Sequence, residues 1–268
     1  MNPLTIASYN VQIPTVKTED HNWERRKLQL LPSLHELGSI IALQEVSYVD
    51  QDQGEQISQA LIKQGYDSYQ PFHDEEGYQD EFHARVPIFW NSERFTWLKS
   101  GQRRLSTGTP EEQTLYPNME NRYCTFVQLQ DVSNPELVYN IFNLHQQHVV
   151  LTDEPTIAHY NQVQADSMAQ LTDFIQSSVS PGQPVFALGD FNMVHPKLDG
   201  LRCARITAQE KINSQYDSYH GYRSPFPRGR KNIDHIHTSL KKKRILSYEA
   251  CIQYAGSDHH PIRATFAE

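Results

Sequence analysis

Asp190 and Asn192 stand two residues apart at the end of the apolar run Phe186-Ala187-Leu188-Gly189, and no other part of the chain is as informative about chemistry. In an extended chain alternate residues share a face. Asp190 and Asn192 are therefore expected to point together beyond a strand end, with Phe191 turned back toward packing. Gly189 would permit a close approach of backbone or ligand. Other apolar runs also end in polar residues: Ile6 to Asn10, Ile40 to Gln44-Glu45, Tyr139 to His145, and Asn232 to Ile236 around Asp234. Near the C-terminus stands Ser257-Asp258-His259-His260-Pro261. Groups of these types suit hydrolysis of phosphate esters. That reaction needs charge neutralised on the phosphoryl oxygens, a water aimed in line, and help for the departing oxygen. Asn10, Glu45 and Asp258 are hard oxygen donors of the kind that hold Mg²⁺ or Mn²⁺ rather than softer metals. Asp234 and His259 form a natural acid and imidazole pair, in which the carboxylate fixes the ring tautomer and raises its pKa.

Taken in order, Asn10, Gln44-Glu45, His145, Gly189-Asp190-Phe191-Asn192, Ile233-Asp234 and Ser257-Asp258-His259 resemble the motif series of the endonuclease/exonuclease/phosphatase superfamily. Relatives of pancreatic deoxyribonuclease and apurinic endonucleases belong to it. Each piece alone is weak; the order and spacing of six carry the resemblance. It implies an α/β (α+β) fold, a four-layer sandwich of two mixed β-sheets flanked by helices, and a phosphoesterase dependent on Mg²⁺ or Mn²⁺. It further implies that Asn10, Glu45 and Asp258 hold the metal, with Glu45 the principal ligand, and that Asp234 pairs with His259 across two strands. His259 is then either a general base or a cationic stabiliser of the pentavalent phosphate. Asp190 orients or deprotonates the attacking water, or binds a second metal, and Asn192 donates to a phosphoryl oxygen. His145 donates to a nonbridging oxygen or protonates the leaving group. Gln12 departs from the pattern, standing where many nucleases carry an acid. Ser218-Tyr219-His220-Gly221-Tyr222 resembles a segment of small bacterial members.

Within that class the expectation is a nuclease-type phosphodiesterase acting on nucleic acid, from the spread of activities in the superfamily and the basic cluster Arg223, Arg228, Arg230 and Lys231 before Asp234. The alternative is a phosphatase or phosphodiesterase for a phospholipid, an inositol phosphate or another small ester. A formal charge of -8 favours it, because a protein that coats duplex DNA needs a broad basic surface. A noncatalytic scaffold of the same fold is a reading of another class. The 13 histidines include no His-Glu-x-x-His string for zinc.

The elements that must position these groups are partly legible. Asp20 and Asn22 are helix caps for Trp23 to Leu37, whose leucines recur at helical spacing and which Pro32 interrupts. A second helix is expected near Gln53 to Lys63, and the clearest one spans Thr156 to Ser178. Val86 to Trp90 and Phe95 to Leu98 read as a hairpin about Asn91-Ser92, and Cys124 to Gln130 with Leu137 to His145 as another strand pair. Phe72 to Arg85 and Ser106 to Arg122 are irregular and read either as loops that set substrate choice or as simple surface loops. The basic bunches at Arg25-Arg26-Lys27 and Lys241 to Arg244 read as solvated faces. No linker divides the 268 residues, and the motifs run from residue 10 to residue 259, so a single domain, 1–268, is expected. Three distant cysteines give neither a disulfide framework nor a thiolate zinc site. No signal peptide or run of about 20 apolar residues is visible, which sets the expectation of a monomeric cytoplasmic enzyme without a transmembrane segment.

Overall fold

The structure, a computed structural model, describes residues 3–14, 19–48, 52–70, 84–106, 114–116, 119–149, 153–222 and 231–268. In chain order its elements are β1 (Leu4–Asn10), α1 (Trp23–Leu30), β2 (Ile40–Gln44), β3 (Val46–Ser47), α2 (Gln53–Ile62), β4 (Tyr66–Tyr69), β5 (Ala84–Arg85), β6 (Ile88–Asn91), β7 (Phe95–Ser106), β8 (Arg122–Asp131), β9 (Val138–His145), α3 (Glu154–Ser178), β10 (Val185–Asp190), β11 (Arg202–Cys203), α4 (Ala204–Thr207), β12 (Glu210–Ile212), β13 (Asp234–Thr238), β14 (Ile245–Ala250) and β15 (Ile262–Phe266). One mixed sheet has seven strands in the order β12-β14-β15-β1-β2-β6-β4, and the other has six in the order β11-β13-β10-β9-β8-β7.

Alternation along the strands builds the layers. Leu4 and Ile6 of β1 join Ile141, Phe186, Leu188 and Ile236 of the second sheet in a core between the sheets. Ala7 and Tyr9, on the other face of β1, pack with Trp23, Leu30, Ile57 and Leu61 of α1 and α2. On the outer face of the second sheet, Phe126, Phe142, Leu144 and Ala187 pack with Leu171 and Phe174 of α3. The result is helix, sheet, sheet, helix, the four-layer sandwich that the resemblance implies. A buried polar contact ties the sheets together. Gln44 Nε2 donates to Asn143 Oδ1 (2.7 Å), and Asn143 Nδ2 donates to the carbonyls of Leu43 (2.7 Å) and Pro87 (2.9 Å).

Helix boundaries follow local chemistry. Asn22 caps α1 by accepting from the Arg25 N–H (3.0 Å), and Pro32 coincides with a change from α-helix to a 3₁₀ segment at Leu31–Leu37. Asp153 caps α3 by accepting from the Thr156 N–H (3.0 Å).

Two expectations fail. Ile88–Asn91 and Phe95–Ser106 do not form a hairpin: β6 pairs with β2 and β4, whereas β7 pairs with β8 in the other sheet. The turn carries the chain across the sandwich, and Trp90 and Phe95 both enter the core between the sheets. Alternation tells which face of a strand is apolar, not which strand lies beside it. The sequence also reads Arg26 as part of a solvated basic face, yet it is buried, and all its N–H groups are engaged. It donates to the carbonyls of Val11, Gln12, Ile13, His21 and Gly256. Most of the two irregular stretches, and Arg223, Arg228 and Arg230, lie outside the described residues.

Candidate active site

Strand direction brings the chemistry to one end of the sandwich. β9 and β10 run parallel, and β13 runs antiparallel to β10, so the last residues of the first two meet the first residue of the third. His145, Asp190 and Asp234 lie in register as a row. In the other sheet the parallel pair β1 and β2 places Asn10 opposite Gln44, and Glu45 follows with a left-handed backbone (φ 59°) that turns its carboxylate off the strand. Asp258 and His259 arrive on the loop between β14 and β15. All the residues proposed from the sequence are brought together: Glu45, His145, Asp190, Asn192, Asp258 and His259 line one cleft of about 710 Å³, with Asn10 and Asp234 directly behind them.

Asp190 is the hub, and it is buried. Its Oδ1 accepts from the Asn192 N–H (2.8 Å), and its Oδ2 accepts from Asn10 Nδ2 (3.1 Å). Oδ2 also faces the Nε2 atoms of His145 (3.6 Å) and His259 (3.8 Å). Burial and the charge of Asp234 raise the Asp190 carboxyl to about 7. His259 Nδ1 donates to Asp234 Oδ2 at 2.8 Å. Burial alone would lower the pKa of this imidazole, but Asp234, then Asp190 and Asp258, outweigh it and hold the ring at about 10. His259 is thus an imidazolium between carboxylates. His145 has the opposite surroundings. Its Nδ1 lies 2.9 Å from Arg122 Nη1, and burial with the Arg122 charge pushes its pKa well below the ordinary value.

The Glu45 side of the cleft is also acidic. Glu45 Oε1 accepts from Asn10 Nδ2 (2.9 Å) and Oε2 from the Ile13 N–H (3.0 Å). Burial and the nearby Glu45 charge raise the Asp258 carboxyl despite His259. Two carboxylates facing one cleft suit a hard divalent cation, which would relieve that repulsion. Asn10 Oδ1 accepts from the Gln12 N–H (3.0 Å), so in this arrangement Asn10 orients the carboxylates through its nitrogen. Asp190, Asp234 and His259 also come close enough for one ion, although the short Asp234–His259 bond already occupies the facing atoms.

Sequence reasoning missed the bracing residues. Arg122, held by Glu120 Oε2 (2.6 Å), stands in the sequence at the end of an irregular stretch with nothing to single it out. Ser257 Oγ donates to the Asn10 carbonyl (2.6 Å) and accepts from the His259 N–H (3.2 Å), tying the two sides of the site together. The Ser218–Tyr222 segment has a structural role: Ser218 Oγ accepts from the N–H groups of Ile233 and Asp234 (both 3.1 Å), and Tyr219 bridges to His259. Tyr222 donates to Gln12 Oε1 and stacks on His21 at 3.5 Å. The signal in the sequence is its likeness to a segment of small bacterial members. His235 and His237 pack against Phe191 on the far side of β13, away from the cleft.

Comparison with known proteins accords with this geometry. No curated protein matches the chain in a sequence search. Among solved structures, an endonuclease/exonuclease/phosphatase family protein from Bacteroides thetaiotaomicron is 18% identical with a TM-score of 0.74, covering 98% of this chain and 97% of that one. A mannosyl-6-phosphatase from the same organism is 19% identical with a TM-score of 0.75, covering 99% of this chain and 100% of that one. Truncated TDP2 from Caenorhabditis elegans is 16% identical with a TM-score of 0.66, covering 99% of this chain and 98% of that one. At these identities the likeness is one of fold. A sequence model described as the Endonuclease/Exonuclease/phosphatase family matches residues 7–259, nearly the whole length and every strand end that carries the site, so this chain belongs to that family.

Proposed function

We propose that the protein is a single-domain, divalent-metal-dependent hydrolase of phosphate esters. The observation that carries the reading is the row His145, Asp190, Asp234 with His259 hydrogen-bonded to it, one buried carboxylate facing two imidazoles. Asp190, with a carboxyl near 7, orients the attacking water and takes its proton. His259, held cationic by Asp234, stabilises the negative charge that builds on the phosphoryl group, and its raised pKa favours that role over a general base. His145 and Asn192 donate to phosphoryl oxygens. Glu45 and Asp258, with Asn10 orienting Glu45, would hold Mg²⁺ or Mn²⁺, which would supply Lewis-acid neutralisation of phosphoryl charge.

For the substrate, a small phosphate ester is favoured by three features: the acidic net charge, a cleft of about 710 Å³, in the size range of small-ligand pockets, and full-length likeness to a mannosyl-6-phosphatase. A nuclease is the second reading. It is favoured by Lys231, exposed at the cleft and 4.7 Å over the Tyr219 ring, a cation and an aromatic face of the kind that bind a phosphate and a base.

The test is hydrolysis of bis-p-nitrophenyl phosphate, a set of sugar phosphates, phosphoinositides, RNA, and single- and double-stranded DNA, each with Mg²⁺ and with EDTA. Metal-dependent turnover that Asp190→Ala lowers by about 10²-fold or more, with folding intact, is expected. Full activity of Asp190→Ala, or no turnover of any ester, would remove the reading.

A further inference from the structure

Two imidazoles face the same oxygen of Asp190, and their far nitrogens meet opposite partners. His259 Nδ1 meets a carboxylate, Asp234 Oδ2, at 2.8 Å. His145 Nδ1 meets a guanidinium, Arg122 Nη1, at 2.9 Å. We propose that Arg122 is a positioning residue that fixes His145 as a neutral imidazole with its single proton on Nε2, making His145 a standing hydrogen-bond donor to the phosphoryl group rather than a proton-releasing acid. This inference rests on the phosphoesterase reading for its consequence in turnover, but not for the state of the ring.

The argument is one of donors and acceptors. A guanidinium has five N–H groups, no lone pair, and keeps its charge in proteins. At hydrogen-bond distance from it, Nδ1 must supply the lone pair. A neutral ring then carries its proton on Nε2, the atom that faces Asp190 Oδ2 at 3.6 Å, and both residues line the cleft. An imidazolium would set an N–H against an N–H and a cation against a cation, without solvent between them, because both side chains are about 8% exposed. Burial and the charges of Arg122 and His259 act in the same direction on the ring. Arg122 is itself fixed. It opens β8, and its Nη2 is paired with Glu120 Oε2 at 2.6 Å. The fork therefore reaches His145 from an anchored strand rather than from a loose side chain.

The mechanistic consequence is a division of labour. His145 keeps its proton throughout, because a neutral imidazole is far too weak an acid to release one near neutral pH. It lends the Nε2–H to a nonbridging oxygen as charge builds there. The proton for the departing oxygen then comes from a group other than His145.

The test uses full-length protein loaded with Mg²⁺ and labelled with nitrogen-15 in histidine, the His145 signals being assigned by their loss in His145→Phe. Nδ1 is expected at the position of an unprotonated ring nitrogen and Nε2 at that of a protonated one. A protonated Nδ1 in the wild-type protein at neutral pH would overturn the proposal, whether or not any variant folds. In Arg122→Met the signals should move toward a mixture of tautomers and kcat should fall about tenfold or more, with KM changed by no more than about twofold. Arg122→Lys, which keeps a cationic donor, should restore the wild-type signals and most of kcat. If Arg122 instead bound substrate directly, Arg122→Met would raise KM and leave the nitrogen signals unchanged, which would also overturn it. Absence of any hydrolysis by the wild-type protein would remove the functional reading, while the nitrogen spectrum would still decide the tautomer.

Discussion

Replacing Asp234 by Asn probes the charge that the whole site is arranged around. The amide is nearly the same size and still accepts from His259 Nδ1, so the 2.8 Å bond is retained while the charge is removed. In the wild-type protein the imidazole pKa lies at about 10, against an ordinary value of 6.5. At roughly 1.4 kcal/mol per unit that difference corresponds to at most about 5 kcal/mol of preference for the charged ring. Asp234 is the largest contributor opposing burial. Without its charge, burial dominates and the ring becomes neutral near pH 7. A raised histidine pKa gives stability that is fully present below 6.5 and is lost as pH rises through about 10. In EDTA the wild-type urea midpoint should therefore fall between about pH 7 and 10, and that of Asp234→Asn should change far less. With Mg²⁺ and bis-p-nitrophenyl phosphate, kcat of the variant should be lower by about 10²-fold at pH 8 and should recover toward acid, where the ring regains its proton. A variant with an unchanged pH–rate profile and the same alkaline loss of stability would refute the assignment of His259 as a cation held by Asp234.

Two further outcomes are expected from the structure. Gly189 has φ of 143°, and a Cβ there would overlap the Leu144 carbonyl oxygen on the adjoining strand. Gly189→Ala should cost about 3 kcal/mol or more in urea unfolding and should weaken turnover by displacing Asp190 and His145 together; unchanged stability would contradict the close approach of β9 and β10. Burial lowers His235 to about 4 and His237 to about 3, so the stability due to their neutral rings is present above 6.5 and is lost as pH falls toward those values. Thermal midpoints measured between pH 7 and 4 should drop, and His237→Phe, which also removes an Nδ1 without a partner, should flatten the drop; equal slopes in the two proteins would exclude His237 as a source of acid lability.

By itself the sequence nominated the groups that meet in the cleft and placed Asn10, Glu45, His145 and Asp190 where apolar runs end, because period-two alternation and a polar terminus are properties of a local stretch. It also located the cap of α1 at Asn22, where a side chain bonds an N–H three residues away. What it could not determine depends on contacts between distant segments. The sandwich decides that β6 and β7 part into different sheets at Asn91, since strand pairing is not encoded in alternation. It decides that Arg26, read as one of a solvated trio, is a buried clamp across the loops at Val11 and Gly256. It decides above all the surroundings of His145: the pairing of His259 with Asp234 is legible in the motif series, and the contact of His145 with Arg122 is not. His259 faces Asp234, 25 positions away, and His145 faces Arg122, 23 positions away on the neighbouring strand. A protonation state is fixed by the field of whatever stands a few ångströms off and by the exclusion of water. That field exists only once the two sheets are packed together.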